Sequence, residues 1–196
     1  MPEPADPKTT LRRAIRARAQ TLTPAYRARA SAGICRNLLA LPELSGAAAV
    51  FGFCPAGTEP DITPVLEQVL AGGRTLALPR CLSAGVMEAR RVSSRAELVS
   101  GAYGLMEPPP GAPLVPWGLL DFAIIPCVTA DLGGGRLGHG GGYYDRFLAW
   151  APGDMTAALV CFHRLLSEEV PMDALDLPVP LVVTEEGVWR EGVRRP

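Results

Sequence analysis

Seven of the ten residues at 133–142 are glycine, in the order GGGRLGHGGG. An apolar run at 121–125 precedes this segment, and a helical pattern begins near Tyr143. Glycines let successive backbone N–H groups point into one concavity, and the N-terminus of the following helix adds partial positive charge. The segment therefore suits phosphate oxygens, for which Arg136 would supply a planar, charged donor group.

Two known glycine motifs do not account for this loop. The sequence contains no GxxxxGK[ST] motif, and GHGGGY at 138–143 lacks the third glycine of GxGxxG. A flexible hairpin tip without a ligand is the remaining alternative, and composition alone leaves that alternative open.

Short apolar runs alternate with helical patterns along the chain. Strands are predicted at 47–53, 75–78, 121–125 and 157–162, and helices at 8–19, 24–41 and 62–71. This alternation predicts an α/β fold: a single three-layer domain over 1–196, with an open, mainly parallel Rossmann-like sheet and helices on both faces. We expect a long surface connection at 101–118, a strand and turn at 181–193, and frayed ends at 1–7 and 194–196.

Composition argues against several classes of partner. The chain of 196 residues has 19 basic and 20 acidic side chains, so its net charge of -1 creates no field that would hold nucleic acid or an anionic membrane. No run approaches the roughly 20 apolar residues of a membrane span, and the N-terminal segment lacks the apolar core of a signal peptide. Five cysteines without a CxxC pair favour a reducing, cytoplasmic location. We expect small-molecule substrates and a monomer or weak dimer.

The loop continues as RLGHGGGYYDR at 136–146, which resembles the RLGxGxGYYD signature of the 5-formyltetrahydrofolate cyclo-ligase family. Other segments follow in the family's order: PKTTLR at 7–12, Glu59 after the first strand, YGLMEP at 103–108, IIPCVTAD at 124–131, VPMDALDLPV at 170–179 and VVTEEG at 182–187. The resemblance covers nearly the whole chain. It implies an ATP-dependent ligase of folate one-carbon metabolism that converts 5-formyltetrahydrofolate into 5,10-methenyltetrahydrofolate, releasing ADP and phosphate.

The resemblance also implies roles for individual residues. The ATP-binding set would be Lys8, Arg12, Arg136, Leu137, Gly138, His139, Gly140, Gly141, Gly142, Tyr143 and Tyr144. The folate would contact Cys54, Glu59, His139, Gly140, Gly141, Gly142 and Tyr143. Asp145 and Asp176 would hold Mg²⁺, an ion that prefers oxygen ligands and retains several waters. Lys8 is the only lysine among the nineteen basic residues.

The implied chemistry requires positioning and charge neutralisation rather than a side-chain nucleophile. Phosphorylation by ATP would turn the formyl oxygen into a leaving group before the 10-nitrogen closes on the formyl carbon. Arg136 and Tyr143 are the expected catalytic residues, the arginine neutralising the transferring phosphoryl group and the tyrosine contacting pterin or phosphate. We expect one of Tyr143 and Tyr144 to pack beneath the loop instead.

Two other functions stay open on sequence alone. His163 and Arg164 stand where the family usually has a glutamine, so a non-catalytic or divergent nucleotide- or folate-binding paralogue of the same fold is one alternative. A phosphate-ester enzyme on a similar open sheet is the other, since the glycine loop would serve it equally. Most of the other acidic residues near the C-terminus are expected on solvated faces: Glu168, Glu169, Asp173, Glu185 and Glu186.

Overall fold

The computed structural model describes residues 6–195 of the chain. Within that range the strands are, in chain order, β1 (Ala49–Phe51), β2 (Thr75–Ser83), β3 (Val86–Val92), β4 (Val99–Ser100), β5 (Met106–Glu107), β6 (Phe122–Pro126), β7 (Thr129–Ala130), β8 (Arg136–Leu137), β9 (Thr156–Val160), β10 (Leu181–Thr184), β11 (Gly187–Arg190) and β12 (Val193–Arg195). The α-helices there are α1 (Pro7–Gln20), α2 (Pro24–Leu39), α3 (Pro42–Gly46), α4 (Thr63–Ala71) and α5 (Tyr143–Trp150).

The main sheet is open and has the strand order β12-β11-β10-β9-β6-β1-β2-β3. Its central strands β10, β9, β6, β1 and β2 are parallel, whereas β3, β11 and β12 form antiparallel edges. The predicted mainly parallel α/β sheet is therefore confirmed. Strand β2, the next in the chain, lies on one side of β1, and β6 lies on the other side. The strand order therefore reverses between β1 and β6. Ligands of such sheets bind outside the carboxyl ends of the strands at this switch point.

Local sequence explains where the first two helices begin. The Asp6 carboxylate accepts a hydrogen bond from the Thr9 N–H (3.0 Å), and the Thr23 hydroxyl accepts one from the Tyr26 N–H (3.2 Å). A proline follows each capping residue and has no N–H that the first turn would leave unpaired. The helices predicted at 8–19 and 24–41 are confirmed, although the second ends at Leu39.

The hydrophobic core lies on both faces of the central strands. Strands β1 and β6 are buried along their full length, which explains why both read as continuous apolar runs. Core residues extend from Ile15 on α1 to Trp189 on β11. This extent supports the single domain, which stays a prediction. Among residues 6–195, no helix is long and apolar enough to span a membrane.

The strand predicted at 75–78 is too short. It continues to Ser83 and pairs antiparallel with β3, which is not among the predicted strands. Residues 86–90 of β3 alternate between more exposed and buried positions, because Met87 and Ala89 on one face of this edge strand contact the core. Glu88 and Arg90 on the other face conceal this apolar alternation.

Three predictions about irregular segments are also wrong. Segment 101–118 is not only a surface connection, because it contains β5 and the buried Glu107. Asp6 and Pro7 belong to the start of α1, and Arg194 and Arg195 pair in β12 with β11, so none of these four residues is frayed. The fraying predicted for residues 1–5 and Pro196 falls outside the described residues.

Candidate functional site

The site lies where the loops after β1 and β6 meet at the carboxyl edge of the sheet. The β1 loop contains Cys54 and Glu59, and the glycine-rich segment follows β6. His139 Nε2 lies 3.6 Å from Glu59 Oε1, although the two residues are 80 positions apart. The predicted nucleotide loop and the predicted folate carboxylate are therefore neighbours at the switch point.

The first three glycines form a turn rather than an open ligand loop. They connect β7 to β8, where Asp131 Oδ1 accepts the Gly135 N–H and Oδ2 accepts the Val170 N–H, both at 2.9 Å. Gly134 has a φ of +98°, and a Cβ there would lie 2.6 Å from the carbonyl oxygen of Val179. These glycines meet requirements of backbone shape and close packing.

The second glycine stretch, 138–142, leads directly into α5. Gly140 and Gly142 have φ values of +100° and +68°, and Gly142 is the residue before the first helical turn. No side chain of the described residues caps that turn, so its N–H groups are available to an anionic ligand. The candidate phosphate loop is thus the half of the segment nearer to α5.

Helix α1 brings two predicted ATP ligands to this loop. Arg12 Nε donates to the Gly138 carbonyl oxygen at 2.9 Å. Lys8 Nζ donates to Asp173 at 2.6 Å and also to Asp176. Burial lowers the pKa of Lys8, but its hydrogen bonds to the two carboxylates outweigh burial, so the net pKa is raised. Burial likewise raises the pKa of Asp176, but the bonds from the Asp173 N–H and Lys8 outweigh burial and lower it.

Arg136 connects β8 to α5 beneath the loop. Its side chain is only 3% exposed, and its guanidinium donates to the carboxylate of Asp145 in the first turn of α5. The same group lies 5.9 Å from the ring centre of Tyr144, and within residues 6–195 its Nε has no hydrogen-bond partner. Arg136 is therefore a buried cation that is ion-paired on one side and incompletely hydrogen-bonded on the other.

The two tyrosines at the start of α5 differ in environment. Tyr144 packs edge-on against Phe147, and burial strongly raises its pKa. Tyr143 donates from its hydroxyl to the Ser83 carbonyl (3.0 Å) and shares a 3.1 Å hydrogen bond with the Tyr103 hydroxyl. The bond to Tyr103 and then burial raise the pKa of Tyr143 to about 12. Tyr144 is thus the member of the pair that packs beneath the loop.

Two remaining predicted residues have restricted access to a ligand. Cys54 is half-buried at the end of β1, and burial raises the pKa of its thiol. The Leu137 side chain is buried, and its carbonyl accepts the Val128 N–H at 2.8 Å. Any contact from Leu137 to a nucleotide would therefore involve other backbone atoms.

Several residues at the site were not predicted. Tyr103 has a φ of 57° and is 75% exposed beside Tyr143, while Asp173 shares Lys8 with Asp176. Tyr103 and Asp173 lie in segments that resemble the family, YGLMEP and VPMDALDLPV, but the sequence predicts only a solvated charge for Asp173 and no role for Tyr103.

Near α2, Glu185 does not lie on a solvated face as predicted. Its carboxylate accepts from the Tyr26 hydroxyl and, at 2.9 Å, from the His163 N–H. His163 itself stacks on Trp189, and Arg164 lies over the ring of Tyr26. The substituted pair at 163–164 is thus engaged by α2 and β11.

A glycine loop and an uncapped helix start at the switch point of an open parallel sheet are features of α/β proteins that bind phosphate-containing ligands. A family model described as the 5-formyltetrahydrofolate cyclo-ligase family matches residues 4–185. The chain therefore belongs to the 5-formyltetrahydrofolate cyclo-ligase family, whose members are ATP-dependent ligases of folate one-carbon metabolism.

Relatives and solved structures agree with this membership. The chain is 31% identical over 179 residues to the 5-formyltetrahydrofolate cyclo-ligase of Escherichia coli, covering 89% of this chain and 98% of the relative. It is 30% identical over 187 residues to the Mycolicibacterium smegmatis enzyme of the same name, covering 90% and 93%. The NMR structure of Aquifex aeolicus 5,10-methenyltetrahydrofolate synthetase matches with a TM-score of 0.83 and 35% identity, covering 96% and 95%. A Mycoplasma pneumoniae synthetase, at 17% identity, shares the fold with a TM-score of 0.76, covering 92% and 99%.

Proposed function

We propose that the protein catalyses the ATP-dependent cyclisation of 5-formyltetrahydrofolate to 5,10-methenyltetrahydrofolate, releasing ADP and phosphate. The proposal rests on the 3.6 Å approach of His139 in the glycine loop to Glu59 in the β1 loop. This approach supports a site in which the ATP and folate half-sites are neighbours. Transfer of a phosphoryl group between two bound substrates requires such an arrangement.

The proposed reaction proceeds through phosphorylation of the formyl oxygen. A formamide is a weak electrophile, and phosphorylation of its oxygen creates a leaving group that the 10-nitrogen displaces. The N–H groups at the start of α5 would orient the transferred phosphoryl group, with Lys8 and Arg12 on α1 supplying positive charge beside the loop. Buried Arg136 would act from beneath, because a cation in a dry environment stabilises nearby developing negative charge strongly.

We infer that Mg²⁺ accompanies ATP and that Asp145 and Asp176 are its protein ligands. Within the described part of the chain, the hydrogen bonds of these carboxylates use only Oδ1 of Asp145 and Oδ2 of Asp176. No cluster of three or more His, Cys, Asp or Glu side chains suited to a metal occurs among residues 6–195. Two carboxylates fit an ion that keeps several waters and also binds substrate phosphates. When bound, Mg²⁺ would neutralise charge on the transferred phosphate.

Glu59 is the proposed anchor of the pterin. Its Oε2 accepts the Ala56 N–H at 2.9 Å, and this bond fixes the carboxylate at the carboxyl end of β1. Adjacent N–H donors on the pterin edge suit such a carboxylate. Tyr103 and Tyr143, with ring centres 6.3 Å apart, would offer aromatic surface to the folate next to the loop.

The test is to mix the protein with 5-formyltetrahydrofolate, ATP and Mg²⁺ and to follow absorbance of the methenyl product. Absorbance should rise only when ATP is present. Calorimetric binding of the folate without any product would indicate the divergent paralogue instead. Turnover of a phosphate ester that does not depend on ATP would indicate the phosphate-ester enzyme.

We further propose a cytoplasmic monomer or weak dimer. All five cysteines are free, which supports a reducing compartment. Size-exclusion chromatography at two protein concentrations would test the assembly state, since a weak dimer dissociates on dilution.

A further inference from the structure

Glu107 on β5 is a buried carboxylate that is not fully hydrogen-bonded. It is only 3% exposed, and among the described residues its Oε1 has no hydrogen-bond partner. The nearest cation, Arg80, places Nη1 3.9 Å from Oε2 and donates its hydrogen bond to the Pro108 carbonyl oxygen instead, at 2.6 Å. A buried carboxylate oxygen without a donor destabilises the fold, so Oε1 of Glu107 is retained at a cost.

The Glu107 carboxylate lies directly beside the backbone of Gly101. A Cβ on Gly101 would overlap the carboxylate of Glu107, so only glycine leaves room for it. The backbone of Gly101 is extended, with φ of -115°, and would otherwise accept any residue. The glycine at position 101 therefore leaves the space that the buried Glu107 carboxylate occupies.

Glu107 lies beside the proposed folate half of the site. Burial and then the neighbouring Glu107 carboxylate raise the pKa of the Cys81 thiol to about 11, which indicates that the two side chains are close. Cys81 is near the end of β2, where the Ser83 carbonyl accepts the Tyr143 hydroxyl. Arg80, whose guanidinium lies 3.9 Å from the Glu107 carboxylate, is also on β2. Glu107 is thus close to the β2 wall of the site.

We propose that Glu107 is a further folate-binding residue whose Oε1 accepts a hydrogen bond from a pterin N–H. This inference rests on the proposed function. A carboxylate repels the phosphates of ATP, whereas the pterin ring brings N–H donors, so the charge of Glu107 selects the folate ring. The protein would then hold the pterin with two carboxylates, Glu59 in the loop after β1 and Glu107 on β5.

Two substitutions at the same position test the hydrogen bond. Glu107→Met keeps the length of the side chain and removes the acceptor, and Glu107→Gln keeps an uncharged acceptor. In calorimetry, the Kd for 5-formyltetrahydrofolate should rise about 10- to 100-fold for Met and less for Gln, while the Kd for ATP stays unchanged. The thermal midpoint of the Met variant should not fall, because a buried acceptor without a donor has been removed.

A steric variant gives an independent test that leaves Glu107 in place. Gly101→Ala should displace the carboxylate and raise the folate Kd, whereas Gly111→Ala, where a Cβ meets nothing within 4 Å, should not. A folate Kd in Glu107→Met within about twofold of the parent, or a changed ATP Kd instead, would overturn the proposed role of Glu107. If the parent protein binds no folate at all, the proposed function fails together with this inference.

Discussion

The ammonium group of Lys8 donates to the carboxylate of Asp176, so the only lysine of the chain and a predicted magnesium ligand are each other's counter-ions. Asp173 extends this pair, since its carboxylate accepts from Lys8 and its N–H donates to Asp176, both at 2.6 Å. A triphosphate that binds Lys8 must therefore compete with two carboxylates. Without a metal ion to neutralise Asp176, that competition weakens nucleotide binding.

Asp173→Asn removes one competitor for Lys8. The Asp173 side chain is 76% exposed, so its ion pair contributes at most about 1 kcal/mol after solvent screening. We expect the affinity for ATP without Mg²⁺ to rise about threefold in calorimetry. Glu168→Gln, at an exposed carboxylate nearby in the chain, changes the net charge equally and should leave the affinity at the parent value. If the affinity for ATP rose equally in both variants, the effect would come from net charge alone, which would contradict the role of Asp173.

The Lys8–Asp176 contact should stabilise the fold only between two pH limits. The folded pKa of Asp176 is lowered from 3.8, so its contribution is present above that value and is lost as pH falls through the lowered pKa. The folded pKa of Lys8 is raised from 10.5, so its contribution is present below that value and is lost as pH rises through the raised pKa. The difference in unfolding free energy between the parent and Lys8→Met should shrink outside this window.

Arg12→Met is the control for this pH dependence. The Arg12 bond to the Gly138 carbonyl joins an arginine that stays protonated to a group that does not titrate, so its contribution should not vary across the same pH range. If the difference in unfolding free energy between the parent and Lys8→Met were equally independent of pH, the ion pair would contribute no measurable stability.

Much of the fold could be predicted because β1 and β6 are buried on both faces and read as apolar runs. Edge strand β3 was missed because its charged face interrupts that signal. The resemblance implied which residues would form the site, but not the hydrogen bonds and ion pairs that these residues make. The hydrogen bond from Arg12 to Gly138 joins residues that are 126 positions apart. It depends on the order of the strands in the sheet, which local sequence patterns do not predict. Glu107 was missed because a carboxylate in a proline-rich segment is typical of an exposed position.

Gly134→Ala should destabilise the protein without any change to the second glycine stretch. Its φ of +98° is unfavourable for alanine, and the new Cβ would meet the backbone of Val179. We expect a loss of about 2 kcal/mol in chemical denaturation. Gly118→Ala, where a Cβ meets nothing within 4 Å, should change stability by less than about 0.5 kcal/mol. Similar losses in both variants would argue against the tight turn at 131–135.

Tyr143→Phe tests whether the phenol acts by position or by proton transfer. A pKa raised to about 12 keeps Tyr143 protonated at physiological pH, so it cannot serve as a general base there. We expect turnover to fall about tenfold through loss of its hydrogen bonds, with an unchanged pH profile between about 7 and 10. Tyr103→Phe keeps the bond to Ser83 and should lower the Tyr143 pKa in an ultraviolet titration. If turnover of the parent changes at high pH and that change is absent in Tyr143→Phe, the prediction is contradicted.

Arg136 and Asp145 need paired variants, because their ion pair affects both stability and the proposed chemistry. Asp145→Ala leaves a guanidinium that is 3% exposed without its partner, so we expect a loss of about 2 kcal/mol in unfolding free energy along with reduced turnover. Replacing both residues, Arg136→Met with Asp145→Leu, removes the unpaired charge and should recover most of that stability. Turnover in the double variant should stay at least about tenfold below the parent, because the charge of Arg136 and one proposed Mg²⁺ ligand are then absent. A double variant with the parent's stability and the parent's turnover would make the pair purely structural and would place the catalytic charge elsewhere in the site.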